Sequence, residues 1–232
     1  MSNEIALESL WAAIDGALPR FSAEEARAAM AVYHELTSGE PLETGRLSER
    51  LRIPSADAVE LLAREPLRRF AYRDERGRMV GFGGLAILPM HHVFALDGRT
   101  LYTWCAWDAL FLPEILGSAA EVTSPCPETG REIRVRIGPD GLERVEPESA
   151  VLSFLSPQAA TFDRSAASVM ARFCHYVFFL ADREAGEAWT ARHPGTFLCS
   201  LEDGYALGQR LNARNFGPAL ERRAACEARE AR

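Results

Sequence analysis

Two short segments carry residues that could do chemistry together. The first, YTWCAWDALFLP, sets Cys105 three residues before Asp108. On a helix that spacing puts a thiol and a carboxyl on one face. Trp104 and Trp107 flank the pair with apolar bulk. A carboxyl against such surface has its pKa raised, because desolvation disfavours the charged form. It could then hold and deliver a proton near neutral pH, as a general acid must. A core cysteine beside a surface aspartate would give the same local sequence, so this segment alone leaves both readings open.

The second segment, ARFCHYVFFLA, holds Cys174 and His175. In a strand, neighbours point to opposite faces, so these two are not an obvious Cys–His catalytic pair. Cys174 alternates with Tyr176 and Phe178 and by pattern alone reads as core, with His175 a satisfied polar residue. Cys126 sits in a Ser-Pro-Cys-Pro turn, where a structural role and a modest metal contact are both open. His91 and His92 read as ordinary strand-edge residues. Cys199 and Cys226 have no companion features. The five cysteines are odd in number, widely spaced and free of any CxxC, which leaves a zinc ribbon or thioredoxin-type motif unsupported.

The elements that must position these residues can be read from periodicity and breakers. Phe21 to Leu36 predicts an amphipathic helix capped by Ser22. Shorter helices fit Thr44 to Leu51 and Ala56 to Arg64, and Phe70 to Ile87 reads as a hairpin. Three short helices and a hairpin give the outline of a winged helix. Val93 to Leu96 and Thr100 to Thr103 read as strands around the turn signal Asp97-Gly98. Trp104 to Leu112 reads as a helix that Pro113 or Gly117 should end. Ala120 to Thr123, Ile133 to Ile137, Ala150 to Leu155 and Phe173 to Leu180 read as strands. Ala185 to His193 and Leu201 to Asn212 read as helices, with a charged tail expected to fray from about residue 219. The fold class expected is α+β: a helical, winged-helix-like N-terminal part over residues 1–80, then a mainly antiparallel β core with helices.

Composition narrows the function classes. Apolar residues make up 47% of the 232, enough for a sizeable core. No apolar run approaches the roughly 18 residues of a membrane span, and the N-terminus carries no basic leader. A cytoplasmic protein is expected, and a cytosolic setting disfavours a disulfide framework. The net charge of -7 makes nucleic acid a poor partner. Residues 1–80 hold 14 Asp and Glu against 11 Arg, and the third helix carries Asp57 and Glu60. A DNA-reading helix would need the opposite charge. Every cation other than histidine is arginine; the chain has no lysine.

Several separated motifs in one order carry a resemblance. LYTWCAWDALFLPEILG, VTSPCPETG, FCHYVFF, EAWTARHPG and ALGQRLN resemble the alkylmercury (organomercurial) lyase family, over roughly residues 20–215 and most strongly over 100–210. The resemblance implies a catalytic domain over 81–218 and protonolytic cleavage of the carbon–mercury bond, giving a hydrocarbon and Hg(II). It places the family's two working cysteines on Cys105 and Cys174 and its aspartate on Asp108, and matches Cys126 to a structural cysteine. It departs at His175, where some members carry another cysteine, and at Tyr176 and Phe178, where some carry histidines. A histidine-dependent step is therefore not expected.

Mercury is very soft, so thiolate is its natural ligand. A second thiolate raises electron density on mercury and makes the bound carbon basic enough to take a proton. By this reading Cys105 and Cys174 hold the metal and Asp108 serves as general base and then general acid. The organomercurial is the substrate, no cofactor is required, external thiols release the product, and mercuric reductase is a candidate Hg(II) acceptor. Trp104, Trp107, Phe111 and Phe173 offer apolar surface for the organic group. Two other readings compete: a thiol-based metal-binding protein without turnover, which would not need Asp108, and a winged-helix metal-sensing regulator, which would need a basic reading helix.

Overall fold

The computed structural model describes residues 2–155 and 166–230, with side chains described over 7–155 and 168–221. Five helices come first: α1 (Ser2–Ala17), α2 (Ala23–Leu36), α3 (Thr44–Leu51), α4 (Ser55–Ala63) and the single-turn α5 (Leu67–Phe70). Strands β1 (Ala71–Arg73), β2 (Met79–Phe82), β3 (Leu85–Ala86), β4 (His92–Leu96) and β5 (Arg99–Thr103) lead into helix α6 (Ala106–Leu116). Strands β6 (Ala120–Pro125), β7 (Glu132–Gly138), β8 (Gly141–Glu146) and β9 (Val151–Leu155) precede α7 (Ala166–Arg172) and a 3-10 turn at Cys174–Tyr176. The chain closes with β10 (Phe179–Leu180), α8 (Arg183–Arg192), β11 (Thr196–Cys199) and α9 (Leu201–Glu230).

The fold is α+β. One antiparallel sheet has eight strands in the order β1-β2-β3-β5-β4-β6-β7-β8, and a smaller one has the order β10-β9-β11. The hairpin β1–β2, expected as a wing of the N-terminal part, is the edge of the larger sheet. Period-two patterning sets its register: on β7, Ile133, Val135 and Ile137 are buried while Arg134 and Arg136 face out. The turn between β4 and β5 holds Asp97 at φ 49° and Gly98 at φ 75°, the two positive values an Asp-Gly hairpin turn requires.

Helix α2 starts where the sequence dictates. The Ser22 backbone N–H donates to Glu25 Oε2 at 2.7 Å and the Glu25 N–H donates to Ser22 Oγ at 3.3 Å, closing a capping box. Its apolar face buries Ala29, Val32, Tyr33 and Leu36. Helix α6 is apolar all round, and nearly every residue of it is buried. A helix of that kind must be the centre of a core rather than its rim. It continues through Pro113 and stops at Gly117, which takes the left-handed φ of 74°. Helix α9 lies against it closely: a Cβ on Gly208 would fall 2.6 Å from Phe111 Cβ. Each fully buried Phe or Leu of this core contributes about 1.5–3 kcal/mol relative to exposure.

Three expectations need correction. Phe173 to Leu180 is not one strand: the chain leaves α7, makes the 3-10 turn and enters a strand only at Phe179. Helix α9 runs on past Asn212 to Glu230, because Ala, Arg and Glu, which dominate that stretch, are strong helix formers. His92 is not a strand-edge residue. It is 1% exposed, with Nδ1 2.8 Å from Ser124 Oγ, and burial drives its pKa well down. Strands β8 and β11 and helix α1 have no counterpart in the sequence reading.

Candidate active site

Cys105 leaves β5 through Trp104 and becomes the N-cap of α6 in extended conformation, φ -148°. Asp108 is the third helical residue. Its Oδ2 accepts the Cys105 backbone N–H at 2.8 Å, and its own N–H donates back to the Cys105 sulfur. Cysteine and aspartate thus stand where a serine and glutamate stand in an ordinary capping box. The two side chains are locked by the same contacts that start the helix. Thr103 Oγ1 donates to the Cys105 carbonyl at 2.9 Å and fixes the entry of the chain.

Cys174 opens the 3-10 turn and is brought to the helix start from the other side. The Ala106 N–H donates to the Val177 carbonyl at 3.1 Å, tying α6 to the residue after the turn. Ser153 on β9 grips the turn twice: its Oγ donates to the Tyr176 carbonyl at 2.8 Å and accepts the Phe178 N–H at 2.9 Å. A metal-ligating atom from each of Cys105, Asp108 and Cys174 lies within 4.8 Å of the other two. Relative exposures are 0%, 7% and 4%, so bulk water does not screen this cluster.

Burial sets the protonation. It pushes the Cys105 thiol well above its ordinary range, aided by the hydrogen bond to Cys174 and by the Asp108 charge. The hydrogen bond between the two thiols pulls the Cys174 pKa down, but burial and Asp108 together leave it raised. Asp108 is raised to about 7 by burial, against the opposing pull of hydrogen bonds from the Cys105 thiol and backbone. The resting site is two thiols beside a carboxyl poised to exchange a proton at neutral pH.

Asp108 and Cys174 open into an apolar cavity of about 110 Å³. Trp104, Trp107, Phe111 and Phe173 all line it, and Trp107 is oriented by an Nε1–H bond of 2.9 Å to the Gly204 carbonyl. The sequence reading missed the rest of the wall. Ile14 and Ala17 of α1, Leu18 just after it, Tyr33 of α2 and the Gly83-Gly84 turn between β2 and β3 also border it, as do Asn212 and Asn215 of α9. The Gly-Gly pair in GFGGL is the one signal that could have drawn notice, since adjacent glycines mark a turn or a close approach.

The remaining candidates fall elsewhere. Cys126 is buried in the β6–β7 hairpin, its N–H donating to Arg131 O and its carbonyl accepting from Gly130 N–H, each at 2.8 Å. Among the described residues it is not part of any metal-capable cluster. His175 is exposed. Cys199 is half-buried on β11, with its pKa pushed up to about 12 by burial. The Cys226 side chain lies outside the described residues.

Residues 85–213 match the family model "MerB: Alkylmercury lyase". An alkylmercury lyase of Streptomyces lividans is 39% identical over 176 residues, 76% of this chain and 77% of that protein. One of Staphylococcus epidermidis is 34% identical over 179 residues, 77% of this chain and 78% of that protein. The crystal structure of the mercury-bound form of MerB2 shares the fold: TM-score 0.68 at 23% identity, covering 90% of this chain and 98% of that one.

Proposed function

The chain belongs to the alkylmercury lyase family and cleaves the carbon–mercury bond of organomercurials, and on that premise we propose that Cys105, Cys174 and Asp108 carry the reaction as a protonolysis. One observation carries the assignment: a carboxyl raised to about 7 lines an apolar cavity within 4.8 Å of two buried thiols. A protein that only stored mercury would need the thiols and not the acid.

In the scheme, one cysteine displaces the leaving ligand of R–Hg–X, and its thiol proton departs with X. As the second sulfur bonds to mercury, its proton passes to the Asp108 carboxylate. Mercury now carries two thiolates, and the bound carbon gains electron density. Asp108 returns the proton to that carbon, the electron pair of the C–Hg bond becomes the C–H bond, and R–H leaves. Mercury stays Hg(II) on Cys105 and Cys174, and Asp108 is again a carboxylate. No electron leaves or enters, so the scheme uses no resident cofactor. Two external thiols exchange onto the mercury and re-protonate the cysteines. That step suits a cytoplasmic protein in a thiol-rich compartment, with mercuric reductase as the eventual acceptor. No helix among the described residues is long and apolar enough to cross a membrane. The aromatic wall of the cavity suits methyl and phenyl groups and excludes water that would compete for the proton.

The direct test is gas chromatography of the headspace over purified protein, methylmercury and excess thiol. Methane above the enzyme-free control, abolished in Cys105→Ser, Cys174→Ser and Asp108→Ala, is the expected result. Stoichiometric mercury retention with no methane would sink the protonolysis scheme.

A further inference from the structure

Asp108 is aimed not only by its own helix. The Gly83-Gly84 turn packs against its carboxyl: a Cβ on Gly84 would fall 2.6 Å from both Asp108 Cγ and Oδ1. Gly84 is buried with φ +100° and Gly83 has φ +45°, backbone that only glycine adopts freely. Three hydrogen bonds hold the turn. The Gly83 N–H donates to Phe70 O at 3.0 Å, and the Trp104 N–H donates to Gly84 O at 2.8 Å. The third comes from α2, where Tyr33 Oη donates to the Gly83 carbonyl at 2.8 Å. The Tyr33 ring is buried and edge-on to Phe82 at 5.2 Å, so its hydroxyl has little freedom. A Cβ on Gly83 would collide with that hydroxyl.

We propose that Tyr33 is a positioning residue for the lyase reaction: its hydroxyl clamps the Gly83-Gly84 turn, and the turn is the wall that keeps the Asp108 carboxyl aimed at the two thiols and the mercury-bound carbon. The proposal rests on the role assigned to Asp108 above. Tyr33 borders the same cavity, and the Asp108 charge is close enough to help burial raise the Tyr33 pKa. A small loss of aim at a proton donor has a large kinetic cost, whereas two thiols can still capture soft mercury without it.

The test separates capture from cleavage in Tyr33→Phe. Capture is read by mass spectrometry of the methylmercury–protein adduct, and cleavage as methane released in a single turnover. Capture at the wild-type level with cleavage slowed by roughly tenfold to a hundredfold is expected. Cleavage at the wild-type rate, or capture and cleavage falling together, would overturn the proposal. If Tyr33→Phe does not fold, Gly83→Ala presses on the same clamp with Tyr33 in place and must give the same split; wild-type cleavage there overturns it equally. A wild-type enzyme that releases no methane, or an Asp108→Ala variant that still does, would instead defeat the underlying assignment.

Discussion

In the proposed scheme Asp108 takes up a proton and gives it back, and its burial suits both steps near pH 7. The same burial costs stability. The folded-state pKa of about 7 lies above the ordinary carboxylate value, so between about pH 4 and 7 the folded chain holds a proton that the unfolded chain has lost. The stability tied to the neutral acid is fully present below about pH 4 and is lost as pH rises through 7. Asp108→Asn keeps the shape and removes the charge. Denaturant melts across pH should show it gaining on wild type between pH 4 and 8 by on the order of 4 kcal/mol, while methane production disappears. Parallel pH–stability curves for the two proteins would refute the buried, raised carboxyl.

At the scale of elements, the site is a junction of the α6 N-terminus, the 3-10 turn and the β2–β3 turn. Ser153 anchors the second of these. Ser153→Ala leaves the Tyr176 carbonyl and Phe178 N–H without their side-chain partner, so it should cost about 1–3 kcal/mol in a urea melt. It should also slow turnover, because Cys174 loses its fixed place. Gly208→Ala sets a helix-propensity gain of about 1 kcal/mol against overpacking into Phe111 of about 1–3 kcal/mol. The clash should win, with a lowered melting temperature. These junctions explain what could be read from the chain. Cys105 and Asp108 were legible as a pair because their spacing is local, although the structure joins them as N-cap and third residue of a capping box rather than on one helix face. Cys174 was legible only through family motifs, since its alternation with Tyr176 and Phe178 imitates a core strand. Only tertiary contacts to Ser153 and Ala106 reveal the turn. Tyr33, in an alanine-rich amphipathic helix, looks like any core residue until the fold sets it beside a turn fifty residues away. The β strands with clear alternation or an Asp-Gly turn were found; short β11 and the weakly patterned β8 were not.

Across the whole molecule, the first helix and the last close the cavity together. Arg214, 5% exposed, donates to Asp15 Oδ1 at 2.8 Å and to the Pro19 carbonyl at 3.0 Å. Arg210 pairs with Glu8 and lies 4.8 Å over the Trp11 ring. Arg214→Ala should loosen α1 and with it Ile14 and Leu18, lower the melting temperature and speed alkylation of Cys174 by a small maleimide. An unchanged labelling rate would show that α1 is not what shields the thiol. The buried, protonated state of that thiol has a consequence outside catalysis. Peroxide attacks thiolates, not thiols, so a pair held neutral until a soft metal arrives is a poor target for oxidants. The enzyme should therefore keep its activity through peroxide exposure that inactivates ordinary surface-cysteine enzymes.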